Sequence, residues 1–387
     1  MRHPAKARGD PRNTAITRQV CGSYWRKAQA TLATRITHPD ILRTTPMPRV
    51  ARLSPPRPGL TPQQREFRYR PPEPWPGNAT PPEIVDLQTF SDVHRWADMK
   101  MGNYIARPRD DHAASPGRWN VLETLLHDEA FWLPANNAEA RIAFAEIAVE
   151  HVLAHEDIRL GPVCFVTITP ATCAFPIGDG GPGSREIKAF RRGIGLAARF
   201  NIHVLQQIAR QGMGDVPFIG MIEAALYHRW SPSGRTREDW ISWHCHLLAW
   251  GAHQAELSAA LAPLRRRHRS MREGLASVHV QAVPEDDIGR QFLYALKAPQ
   301  KLYRVEYYKK PWTHPVTREV KQPGWHTQKD WLRTGQRIRM LDVIGDRLLS
   351  DLLFGNREGT ALARAISDEA LGPFRAWERQ QPYAQRR

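Results

Sequence analysis

Cysteine is scarce. The 387 residues hold four, Cys21, Cys164, Cys173 and Cys245, and no two form a C-x-x-C pair. That excludes a disulfide framework and a zinc knuckle, and it fits a reduced, intracellular protein. No run of 18 apolar residues occurs, so no membrane span is expected. The opening stretch, MRHPAKARGDPRNTAITRQV, is positive but has no apolar segment, so no signal peptide is expected either. The glycine-rich loop GDGGPGS, at 178–184, lacks the lysine of a phosphate-binding loop. No internal repeat is visible.

Acidic residues are also in the minority. Thirty-nine Asp and Glu face 55 Lys and Arg, giving a net charge of +16. Such an excess points to a polyanionic partner, most simply nucleic acid. The charge is unevenly placed. Residues 1–70 carry 13 Arg and 2 Lys against Asp10, Asp40 and Glu66, which is +12 of the total. The remaining body is mildly basic, and its apolar residues suffice for a core.

Four regions follow from pattern and composition. Residues 1–85 are dense in Pro and Arg and read as a largely disordered basic arm that grips phosphates. Residues 86–160 read as a helical segment. Within it, NNAEARIAFAEIAVEHVLAH offers Asn136 as an N-cap with Glu139 three residues later, as in a capping box. Residues 161–310 mix strands and helices, and 311–387 read as basic and then helical. In the third region GPVCFVTITP (161–170) is β-branched and alternating, and VPFIGMIEAAL (216–226), WISWHCHLLAWG (240–251) and SVHVQAV (277–283) are further strands. A Pro- and Gly-containing turn between the second and third predicts an antiparallel hairpin. The stretch EDDIGRQFLYALKAP (285–299) predicts a helix that opens on three acidic residues and stops at Pro299.

Two patterns carry chemistry. Alternation along a strand sends His244 and His246 to one face and Cys245 and Leu247 to the other. Two imidazoles side by side on a rigid strand are two thirds of a metal site. With 16 histidines in the chain, the bare pattern arises by chance and needs support from its surroundings. On a helical wheel over 285–299, Ile288, Phe292, Ala295 and Leu296 share one face. Tyr294 and Lys297 lie on the other, one turn apart.

In order along the chain, Phe165–Thr169 (FVTIT), His244-Cys245-His246 and Tyr294-Ala295-Leu296-Lys297 resemble the three motifs of the HUH endonuclease superfamily, and within it the rolling-circle replication initiators of plasmids and phages. The resemblance covers about residues 161–300. It implies an α+β fold, a central antiparallel sheet of about five strands with flanking helices, in which the histidine strand is central and the tyrosine helix packs across it. It implies Glu223, on the preceding strand, as third ligand with His244 and His246 to one Mg2+ or Mn2+ ion. Tyr294 would be the nucleophile and Lys297 its assistant. The activity implied is nicking and rejoining of single-stranded origin DNA through a 5′-phosphotyrosine. Strand separation would fall to a host helicase and the replication machinery, in the cytoplasm of a bacterium.

The chain departs from that pattern in two places. Cys245 replaces a larger apolar residue, and Ala298 stands where two-tyrosine members have a second tyrosine. Tyr303, Tyr307 and Tyr308 follow closely and remain alternative nucleophiles. Two other readings stay open: a transposase of the same superfamily, and a non-enzymatic basic DNA-binding protein in which His-x-His is accidental.

Overall fold

The structure, a computed structural model, describes residues 82–105, 133–178, 200–230, 238–271, 276–313, 318, 320–345 and 347–380. The basic arm up to residue 81, with Cys21, most of the glycine-rich loop and the turn at 231–237 lie outside the described residues. The described residues from 82 to 374 belong to one compact unit; of the other unit only 375–380 is described.

The compact unit is mixed α and β, built on one eight-stranded, mostly antiparallel sheet. Its first strand, β1 (Val163–Ile168), follows helices α1 (Leu87–Ile105), α2 (Ala138–Ala154) and α3 (Glu156–Leu160). A short strand β2 (Ala174–Gly178), helix α4 (Ile202–Met213) and the long pair β3 (Phe218–Trp230) and β4 (Glu238–Trp250) come next. Helices α5 (Gln254–Ala260) and α6 (Ala262–Arg267) break at Leu261, just before Pro263, and lead to β5 (Val278–Val283). Helix α7 (Ile288–Leu296) is followed by β6 (Lys301–Tyr308), the small β7 (Trp312–Thr313) and β8 (Val320–Lys321), and β9 (Gly324–Trp331). Helices α8 (Thr334–Ile344) and α9 (Leu349–Leu352), strand β10 (Leu353–Asn356) and helices α10 (Glu358–Ala370) and α11 (Gly372–Gln380) complete the described chain.

The strand order is β5-β1-β4-β3-β6-β9. Strand β2 pairs with the start of β4, and β10 with the start of β3. The β3–β6 contact is parallel and the other pairings within the sheet are antiparallel. Strand β4 is central and almost wholly buried, because the apolar residues of WISWHCHLLAW serve both of its faces. Trp243, Cys245 and Leu247 fill one side, where Phe200 stacks on Trp243. Helix α7 packs across β3 and β4 on the other side, and α2 packs on α7. Helix α2 is buried on nearly all sides, including Arg141, Glu146 and Glu150.

A sheet of eight strands corrects the expectation of about five. The extra strands lie where pattern is weak. KLYRVEYY and GWHTQKDW, now β6 and β9, carry charge at alternating and adjacent positions because much of their hairpin faces solvent. LFGN, now β10, is four residues long and was expected to be helical. The N-cap of α2 is also one residue later than the capping-box pattern suggested. Asn137 accepts from the Ala140 amide, while Asn136 donates to the Leu341 and Gly345 carbonyls. Glu139 is held by Arg95 instead of reaching back to the helix start.

Candidate metal centre

The hairpin register brings the predicted ligands together. Glu223 on β3 faces His244 on β4, and His246 faces Met221 on β3 and Thr167 on β1. Because side chains alternate, Glu223, His244 and His246 share one face. All three are buried, at 5–7% exposure. The Nε2 atoms of the two histidines are 3.2 Å apart, and the Glu223 Oε2 lies 3.5 Å from the first and 3.4 Å from the second. Among the described residues, this is the group of three whose ligand atoms all lie within 4.8 Å of one another.

The outer nitrogens explain the orientation of the rings. His244 Nδ1 lies 3.2 Å from the Ser242 carbonyl, which can only accept, so Nδ1 carries the proton. In a neutral His244 the Nε2 atom is then a bare lone pair. His246 Nδ1 pairs with the Thr167 hydroxyl at 2.9 Å, and the Phe165 ring stacks on its imidazole at 5.3 Å. Burial, aided by the nearby Lys297 and His244, lowers the His246 pKa to about 3, so its ring stays neutral. Two imidazole nitrogens and a carboxylate oxygen converge at 3.2–3.5 Å, an arrangement that a cation can bridge. Those separations suit a small divalent ion with bonds of about 2.0–2.2 Å. The chemistry of the donor set therefore fits a metal: one oxygen and two imidazole nitrogens, with both histidines oriented from behind.

One cation is already at hand. Lys297 Nζ forms a close ion pair with Glu223 Oε2 and sits 3.9 Å from the centre of the Tyr294 ring. Burial alone would raise the Glu223 pKa, but the charge of Lys297 beside it, with the two imidazoles, holds it well below the usual carboxylate value. Helix α7 ends at Leu296 and Lys297 is its C-cap; its φ of −60° is still helical, so its side chain leaves the backbone one turn on from Tyr294, as the wheel suggested. Tyr294 is half-buried rather than on a free polar face. Its ring lies 5.3 Å from His246 and edge-on to Phe165 at 6.1 Å.

Two buried groups, missed by sequence reasoning, pin the end of α7. Arg141 on α2 donates to the Leu296 and Ala135 carbonyls, both at 2.6 Å. His94 on α1 accepts from the Ala298 amide at 3.0 Å while its Nδ1–H donates to the Phe90 carbonyl at 2.6 Å. Burial first, then the charge of Arg141, lowers the His94 pKa to about 3, which keeps it an acceptor. Lys297 is thus clamped on both sides. Nothing in the pattern around 94 or 141 marks these residues. Thr167 and Phe165, by contrast, were inside a predicted motif but without a role.

The three later tyrosines separate by face. Tyr303 on β6 pairs with Tyr227 on β3, and their rings stack at 5.2 Å on the Glu223 side of the sheet. Tyr307 lies farther out on that side and is exposed, whereas Tyr308 points to the opposite side, hydrogen-bonded to Glu306. No helix among the described residues is long and apolar enough to cross a membrane. No protein-family model, no curated protein and no solved structure matches the chain.

Proposed function

We infer that the protein is a metal-dependent HUH endonuclease that nicks and rejoins single-stranded DNA, acting as a rolling-circle replication initiator of the single-tyrosine type. One observation carries this reading. A buried Glu–His–His cluster from two central strands meets a tyrosine and a lysine from a separate element, all on one face of the sheet. A cluster that served only stability would have no need of a phenol beside it.

Glu223, His244 and His246 would hold the ion, Mg2+ or Mn2+, which supplies Lewis-acid polarisation of the scissile phosphate. The remaining work falls to the chain. Thr167 and the Ser242 carbonyl aim the two Nε2 atoms inward. Tyr294 Oη attacks phosphorus; the new Oη–P bond forms as the P–O3′ bond breaks, and the phenolic proton passes to the departing 3′ oxygen. The products are a 5′-phosphotyrosine and a free 3′-OH, and attack by a 3′-OH in reverse rejoins the strand. Lys297 stabilises negative charge as it develops on the phenolic oxygen or the phosphate. Arg141 and His94, through the end of α7, hold Tyr294 and Lys297 in place for in-line attack. A separate helicase opens the duplex.

The test is a protein–DNA adduct on a denaturing gel after incubation with Mn2+ and labelled single-stranded DNA. The adduct should form with Mn2+ and vanish with a chelator. A protein that binds the DNA tightly yet gives no adduct with either metal would contradict the reading.

A further inference from the structure

The hairpin of β6 and β9 is compositionally unlike the rest of the chain. Residues 301–331 contain six aromatic side chains, Tyr303, Tyr307, Tyr308, Trp312, Trp325 and Trp331, where the chain as a whole is 9% aromatic. They also contain seven Lys and Arg against three acidic residues. Tyr307 is exposed and Tyr303, Tyr308, Trp312 and Trp331 are partly exposed, so core packing alone does not account for their concentration.

Register shows where they point. In a parallel pair the partners lie on one side of the sheet, so Tyr303 is on the side of Tyr227 and hence of Glu223. Alternation along β6 places Val305 and Tyr307 on that same side. Across the ladder, Tyr303 faces Lys329 and Val305 faces Thr327. The Tyr227 and Tyr303 rings stack at 22° to one another, Lys329 Nζ is 5.9 Å from the Tyr303 ring, and Tyr307 is 54% exposed. An aromatic and basic stripe therefore leaves the metal centre and runs outward, spanning about 13 Å between Tyr303 and Tyr307. On the other side of the hairpin Tyr308 stacks nearly parallel on Trp312 and tilts against His326. There Arg304 is ion-paired to Asp330.

We propose that the site-facing side of the β6–β9 hairpin is a binding track for unpaired nucleic acid, on which the strand running out of the metal centre stacks its bases on Tyr303 and Tyr307 and sets its backbone on Lys329. The inference rests on the nuclease reading for its direction, outward from the cleavage point. Its chemistry stands on its own: rings accept any base face, and lysine accepts phosphate, so the track takes single strands without regard to sequence. A duplex cannot use it, because its bases are stacked on one another.

The experiment measures binding of a fluorescent oligothymidine to the full chain in a chelator, where cleavage plays no part, beside a duplex of equal length. Tyr307→Ala should weaken single-strand binding about five-fold or more, Tyr307→Phe should keep it, and duplex binding should be unchanged by either. Lys329→Ala should weaken single-strand binding and lower its salt dependence, whereas Arg304→Ala, the same charge change on the far side, should do less. Equal effects of Lys329→Ala and Arg304→Ala would show a diffuse charge effect and overturn the track. So would unaltered single-strand binding by Tyr307→Ala, or a hairpin that these substitutions uncouple from a protein partner and not from DNA. Because the assay needs neither metal nor Tyr294, a protein that fails to form an adduct but shows the face-specific loss refutes the nuclease reading and leaves the track standing.

Discussion

His244 and His246 are held from behind by different groups, a backbone carbonyl and a threonine hydroxyl, and only the second can be removed by substitution of a side chain. Either residue changed to Ala should abolish adduct formation while leaving DNA affinity within about two-fold, since phosphate contacts elsewhere carry binding. Normal cleavage by the double variant would refute the metal role. Thr167→Val removes the hydroxyl behind His246 at little cost in volume; it should weaken metal affinity about 10- to 100-fold, read by titration of Mn2+ into the protein. The His-x-His pair was legible in the sequence because strand alternation puts both imidazoles on one face, and Glu223 was named through the resemblance. The supporting residues were not, since a threonine in a strand and a histidine in a helix have many ordinary uses.

Helix α7 shows what periodicity conveys and where it stops. The apolar face of Ile288, Phe292, Ala295 and Leu296 is buried, as its spacing indicated. The nearness of Lys297 to Tyr294 follows from the helical wheel; its ion pair with Glu223 was not legible, because it depends on how the end of α7 is held, by Arg141 and His94 from far along the chain. Arg141→Met keeps the length of the side chain but removes both hydrogen bonds to carbonyls. It should cost about 3 kcal/mol, read by denaturant unfolding, and should slow adduct formation without loss of DNA binding. An adduct rate equal to the wild type in a folded variant would show that the end of α7 needs no such support. The strands β6, β9 and β10 were hidden for a different reason. An exposed hairpin and a four-residue strand bury too little on one face to impose a period, and their place is fixed by pairing, β6 and β10 with β3 and β9 with β6, which sequence pattern alone does not register.

At the scale of the molecule, burial of neutral histidines ties stability to pH. His94 and His246 have folded pKa values of about 3 against an ordinary 6.5. Between those values the unfolded chain binds more protons than the folded one. Their contribution is therefore complete above about 6.5, and it is lost as pH falls, by up to about 1.4 kcal/mol per pH unit for each. Glu223, whose folded pKa is depressed, adds a loss in the same direction below its ordinary 4.5. The melting temperature of the metal-free protein should drop between pH 7 and pH 5, and His94→Gln should flatten that drop; an unchanged slope would mean that His94 is not held neutral. Charge is the other whole-chain property. Deleting residues 1–80 removes most of the net positive charge and should weaken DNA binding and lower its salt dependence, while the adduct still forms. An unaltered salt dependence would count against an arm that grips phosphate.

The central claim is that a phenol on α7 becomes covalently joined to DNA at a metal centre built on β3 and β4. The most direct measurement is peptide mapping of the adduct formed with Mn2+ and single-stranded DNA, by protease digestion and mass spectrometry. The account predicts one nucleotide-bearing peptide, modified at Tyr294, absent from Tyr294→Phe and from His246→Ala. Modification at Tyr303, Tyr307 or Tyr308 would move the nucleophile to the hairpin, and modification of no tyrosine would contradict the account as a whole.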